Sequence, residues 1–229
     1  MKKKTGILLG AGIAVVVLGT TAAIAGPIFY RDVVVGKPAA APTVAVTPGS
    51  SSLTAADLTG SWDVASGSTA GYRVKEVLNG TDVTVVGTTS KVDGTVTFDS
   101  GSISAADVTV SVKDIATDSS SRDEYFRTSA METDIYPDAT FRLTSPVSDT
   151  GLTSGKVSSF TATGTLTLHG VTREVEVPMK AALAGTGAEV SGSVPITFSD
   201  YKVTAPSLGF VTVQKTGSVE FLVKARPAS

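Results

Sequence analysis

The chain has 229 residues, 41% of them hydrophobic, which suffices for one domain of ordinary size with a real core. The absence of cysteine excludes disulfides, thiolate metal sites, cysteine nucleophiles and the lipid-bearing cysteine of a lipoprotein. The net charge is −2, and Lys2, Lys3 and Lys4 supply three of the positive charges, so no basic patch for nucleic acid remains.

Those lysines, residues 1–4 with Met1, predict a cytoplasmic basic end. They precede an uncharged run over residues 5–30. A helix of about 20 apolar residues spans a bilayer, and flanking lysines stay inside. Ala23-Ile24-Ala25 before Gly26 has the small residues of a signal cleavage site. Against cleavage, Ile28, Phe29 and Tyr30 prolong the apolar stretch beyond an ordinary signal peptide. The length favours an uncleaved transmembrane anchor, with secretion as the alternative. Either way the rest of the chain is expected outside the cytoplasm, with the membrane as a partner through the N-terminal helix. Residues 31–57 are rich in Pro, Ala, Ser and Thr with no apolar period, as in a disordered, semi-extended linker. The folded domain is expected over residues 58–229.

Within that domain apolar and polar residues alternate, the period of a half-buried strand. Val92, Gly94, Val96 and Phe98 form one such set, and Val108, Val110 and Val112 another. Ala162, Gly164, Leu166 and Leu168 follow, then Val190, Gly192, Val194, Ile196 and Phe198, then Val219, Phe221 and Val223. Asn79-Gly80, His169-Gly170 and Thr186-Gly187 separate strands as hairpin turns, since these residues tolerate positive φ. Asp93-Gly94 fits either a turn or a bulge within a strand. Consecutive hairpins imply an antiparallel meander, and about eight such strands close most economically into a barrel.

One segment differs. Ser121-Arg122-Asp123-Glu124 has the Ser-x-x-Glu pattern of a capping box. A short helix is predicted to Ser129 or Ala130, with Phe126 and Ala130 on one face. Pro137 ends it before a strand resumes at Asp138 to Phe141. Such a helix suits a plug or lid at one end of a barrel.

Catalytic and metal chemistry is sparse. The single histidine, His169, lies beside Gly170 in a turn, a position where His tolerates positive φ. No nucleophile, phosphate-loop or zinc motif occurs, and no cofactor is called for. Glu174 and Glu176 alternate with Val175 and Val177, which puts them on the solvated face. Two charges are in the inward phase: Glu76 with Tyr72, Val74 and Leu78, and Arg173 with Val171, Val175, Val177 and Met179. A charge inside an apolar barrel costs several kcal/mol unless paired or wet. Arg173 either snorkels to water at the rim or meets an anionic ligand head at the mouth.

The runs SRDEYFRTSAMETDIYPDATFRLT (Ser121 to Thr144) and GTLTLHGVTREVEV (Gly164 to Val177) resemble the YceI-like family of lipocalin-like, polyisoprenoid-binding proteins. GSWDV from Gly60, GYRVKE from Gly71 and PITFSDYKV from Pro195 support the resemblance, which covers Thr59 to Ala225. It implies an eight-stranded antiparallel lipocalin-like barrel with one short helix, and an elongated cavity holding an isoprenoid or fatty-acid-like lipid. It implies binding rather than catalysis. Strand phase nominates Val96, Phe98, Phe141, Leu166, Leu168 and Phe198 as ligand contacts, with Phe126 from the helix and Arg173 at the mouth. Gly94, Gly164, Ala162 and Gly192 face inward and are expected to leave room for the ligand. A surface module with a packed core, and a weak hydrolase or isomerase using Glu76, Arg173 or Asp200, are the alternatives.

Overall fold

A computed structural model describes residues 37–45, 51–78, 80–148 and 150–228. The apolar segment at residues 5–30, expected to anchor the chain, lies outside the described residues. Among the described residues ten antiparallel strands form one sheet. They are β1 (Gly60–Val64), β2 (Thr69–Leu78), β3 (Thr81–Thr89), β4 (Val92–Asp99), β5 (Ser102–Ser111), β6 (Asp138–Leu143), β7 (Ser158–Leu168), β8 (Val171–Ala184), β9 (Gly187–Thr197) and β10 (Val211–Pro227).

Eight strands close the ring expected from the sequence. β1 and β4 through β10 follow one another around it, and β1 completes the circle by pairing with both β4 and the end of β10. The remaining two form the β2–β3 hairpin, which pairs with the first two-thirds of β10 and extends the wall beside the ring. β10 serves both neighbours because it is 17 residues long and shifts register between Val213 and Gly217. Closure removes the unpaired edges that an open sheet would expose.

The turn chemistry largely follows the sequence. β2 and β3 meet in a two-residue hairpin in which Gly80 has φ +78°. His169 (φ +50°) and Gly170 (φ +70°) join β7 to β8. The β8–β9 turn is Gly185-Thr186, one residue earlier than expected, with Gly187 already paired to Ala184. Asp93-Gly94 is not a turn: Gly94 lies within β4 opposite Val108, and its positive φ is accommodated inside the strand.

The helix is also as expected in extent but not in its cap. Helix α1 (Ser120–Tyr125) continues as one π-helical turn (Phe126–Ala130), closed by Met131 N–H donating to Phe126 O at 2.9 Å. The N-cap is Ser119, whose Oγ accepts from Arg122 N–H at 3.4 Å; Ser121 is inside the first turn. Asp123 explains the shift, because its carboxylate turns back to accept from Thr117 N–H (2.9 Å) and Thr117 Oγ1 (2.7 Å), fixing the chain two residues before Ser119.

The described parts of the expected linker are held on the barrel rather than free. Ala39 O accepts from Arg73, Val44 is buried, and Ser51 bridges Gly185. Leu53 packs on the core, and a 3-10 turn over Ala55–Asp57 leads into the fully buried Leu58. Composition hid this because single residues such as Val44 and Leu53 make contact without any apolar period.

Candidate functional site

Two packed clusters border the barrel interior. At one, Trp62 (1% exposed) meets Phe98 edge-on with ring centroids 5.4 Å apart, among Leu58, Leu183 and Ala188. At the other, Leu168, Tyr201, Val112 and Met131 cluster where α1 and its π turn pack. A cavity of about 610 Å³ extends between them, within the range of about 300–1,000 Å³ usual for small-molecule sites.

Its walls are the inward phases of the strands. Val96, Phe98, Phe141, Leu166, Leu168 and Phe198 all line it, as does Phe126 from the helical segment. The alternation places these side chains together because successive residues of a strand point to opposite faces. Phe198 does so from just beyond β9, where it opens a 3-10 turn. Arg173 is not brought to this cavity. It is exposed, and its Nε donates to Asp200 O at 2.7 Å, so the side chain folds outward over the rim.

The inward glycines supply room only indirectly, by seating two aromatic rings against the wall. A Cβ on Gly164 would lie 2.5 Å from Phe141 Cζ, and one on Gly192 would lie 2.6 Å from Phe221 Cζ. The rings of Phe141 and Phe221 therefore lie against the wall over these glycines. On Gly94 a Cβ would meet Asp107 O at 2.2 Å, so this glycine permits close strand approach instead. Of the four small residues expected to make room, only Ala162 faces the cavity.

Two charged side chains, Glu76 and Arg122, line the cavity among the described residues. Glu76 is 6% exposed, and Arg122 Nη2 donates to its Oε1 at 3.4 Å. Arg122 Nη1 also reaches Asp118 Oδ1 at 2.6 Å. Beside this pair Tyr72 stacks on Phe126, with centroids 4.9 Å apart and planes inclined by 19°. Burial pushes the Tyr72 phenol far above its ordinary range, with the nearby Arg122 opposing. Ser119, Ser121 and Tyr125 complete this polar corner. Strand phase identified Glu76 but could not find Arg122, which comes from the helix. Its position four residues before Phe126 puts both on one helix face and is the signal that marks it.

His169 belongs to the scaffold. It is buried, with Nδ1 3.1 Å from Tyr201 O, Nε2 2.9 Å from Glu132 Oε2 and the Tyr136 ring edge-on. It ties the β7–β8 turn to the segments after α1 and β9. Among the described residues no group of three or more His, Asp or Glu side chains converges as metal ligands.

A closed antiparallel barrel with an apolar axial cavity and one polar corner is a lipocalin-like binding architecture. The model of the YceI-like domain matches residues 62–225. The chain belongs to the YceI-like family. Among solved structures, a polyisoprenoid-binding domain from Saccharophagus degradans, implicated in plant cell wall breakdown, is 19% identical. That match covers 74% of this chain and 99% of the other, with a TM-score of 0.59. BcnA from Burkholderia cenocepacia is 21% identical over 67% of this chain and 95% of its own, with a TM-score of 0.52. Both likenesses are of fold. No curated protein matches the chain.

Proposed function

We propose that this protein is an extracytoplasmic binding or carrier protein for a polyisoprenoid or another long-chain amphiphilic lipid, held by its apolar part in the barrel. The observation that carries this reading is the cavity itself: one continuous apolar space whose charged lining, among the described residues, is the single pair Glu76–Arg122. Val96, Phe98, Phe126, Phe141, Leu166, Leu168 and Phe198 contact the chain of the ligand in this reading. The polar head lies at Glu76, Arg122 and Tyr72, and Arg173 has no part in binding. A ligand that loses several hundred Å² of apolar surface gains of order 10 kcal/mol before association costs. The polyisoprenoid-binding description of the Saccharophagus degradans domain supports the ligand class. The reading includes no catalysis, cofactor or nucleic acid. Residues 5–30 hold the domain to the membrane, or direct its secretion if they are cleaved.

Native mass spectrometry of the full chain, followed by organic extraction, tests this. A long apolar molecule is expected to leave with the solvent. Leu166→Trp is expected to abolish that ligand while the protein stays folded, because the indole fills space the lipid uses. The reading is overturned if the wild type carries and binds no lipid and the variant is destabilised by about 1–3 kcal/mol, as overpacking of a full core would do.

A further inference from the structure

From Val203 to Gln214 the chain carries no charge, and Lys202 and Lys215 bracket this run. It is built as a small hairpin that prolongs β10. Ser207 bridges Thr212, Leu208 N–H donates to Val211 O at 2.8 Å, and Val213 N–H donates to Pro206 O at 3.0 Å. Gly209, at φ +77°, makes the tip. The two large side chains beside it, Leu208 (52% exposed) and Phe210 (59% exposed), both project into solvent and both line the cavity. The cavity therefore reaches the surface beside two exposed apolar side chains.

We propose that the Leu208-Gly209-Phe210 tip docks into the surface of a phospholipid bilayer, so that the cavity opens onto hydrocarbon and the lipid passes without crossing water. This rests on the lipid-binding reading. The hairpin's internal hydrogen bonds satisfy backbone groups that entry into the membrane would otherwise strip of water. Lys202 and Lys215 are exposed at the two ends of the run, where they meet anionic headgroups. The insertion is shallow. Val211 at the base of the tip pairs with Leu78, and one step further down the charged Asp82 lies beside Val77 on the β2–β3 hairpin, which keeps that level in the headgroup layer.

The test uses the full chain in vesicles of phosphatidylglycerol and dibrominated phosphatidylcholine. The wild type, whose single tryptophan is the buried Trp62, sets the background. Phe210→Trp and, separately, Leu208→Trp are expected to give blue-shifted emission quenched several-fold more than that of Val157→Trp. Val157 is also exposed, but it precedes β7 at the opposite end of the barrel. Quenching no greater at 210 and 208 than at 157 overturns the docking. Lipid extraction from the wild type decides the carrier reading separately. Quenching without extractable lipid leaves the docking and removes the carrier. Extractable lipid without quenching keeps the carrier and removes the docking.

Discussion

Arg122 crosses from helix α1 to Glu76 on β2, bringing a guanidinium within 3.4 Å of a carboxylate that is otherwise enclosed by the barrel. Removing the cation leaves the carboxylate buried with its nearest counter-charge gone. Arg122→Ala is therefore expected to lower stability by about 1–3 kcal/mol, more than Glu76→Gln, which removes the charge but keeps the shape. Denaturant midpoints of the wild type and the two variants check this, and an Arg122→Ala midpoint equal to that of the wild type would mean that the pair is neutral in its effect.

The cap of α1 separates two serines that the sequence alone confuses. Ser119→Ala should cost about 1 kcal/mol, because its Oγ is the acceptor at the helix start. Ser121→Ala should change little, since that hydroxyl only shares a hydrogen with Ser119 Oγ at 3.1 Å. Hydrogen exchange over residues 122–130 is the measurement: it should rise in the first variant and not in the second.

Phe221 rests over Gly192 on the neighbouring strand. Gly192→Ala is expected to push the ring into the lumen and reduce lipid binding. Phe221→Leu in the same chain should restore binding at least in part. Thermal melting with and without added isoprenoid reads both effects. Binding unaltered by the alanine would show that the ring does not border the space the ligand occupies.

Alkaline pH should destabilise the domain through its buried phenols. Burial raises both Tyr72 and Tyr201 above the ordinary tyrosine range in the folded state. Above pH 10, the ordinary tyrosine value, the unfolded chain loses these protons while the folded one keeps them, so unfolding is favoured as pH rises. Stability from these groups is thus complete below that value and declines above it. Phenolate absorbance should appear in two steps, the second together with loss of β structure. Tyr72→Phe should diminish the second step.

What could be seen in the sequence was whatever depends on neighbours along the chain. The two-residue period put Val96, Phe98, Leu166 and Leu168 on one face, because a pleated backbone sends alternate side chains to opposite sides whatever the fold around them. His169-Gly170 and Gly80 marked turns because their backbones tolerate positive φ. The Ser-x-x-Glu pattern at Ser121 marked the helix, and the succession of hairpins, supported by the resemblance of the Ser121 to Thr144 run, pointed to a closed barrel. Only the tertiary structure decided the rest. Arg173 shares the inward phase yet folds over the rim, since a strand end lets a long side chain choose water. Arg122 meets Glu76 across 46 residues of sequence, and Phe141 and Phe221 occupy the space that Gly164 and Gly192 had promised to a ligand. The register between strands fixes which ring lies over which glycine, and the docking of the helix fixes which charge faces which. Both are long-range choices, and the alternation of a single strand carries no information about either.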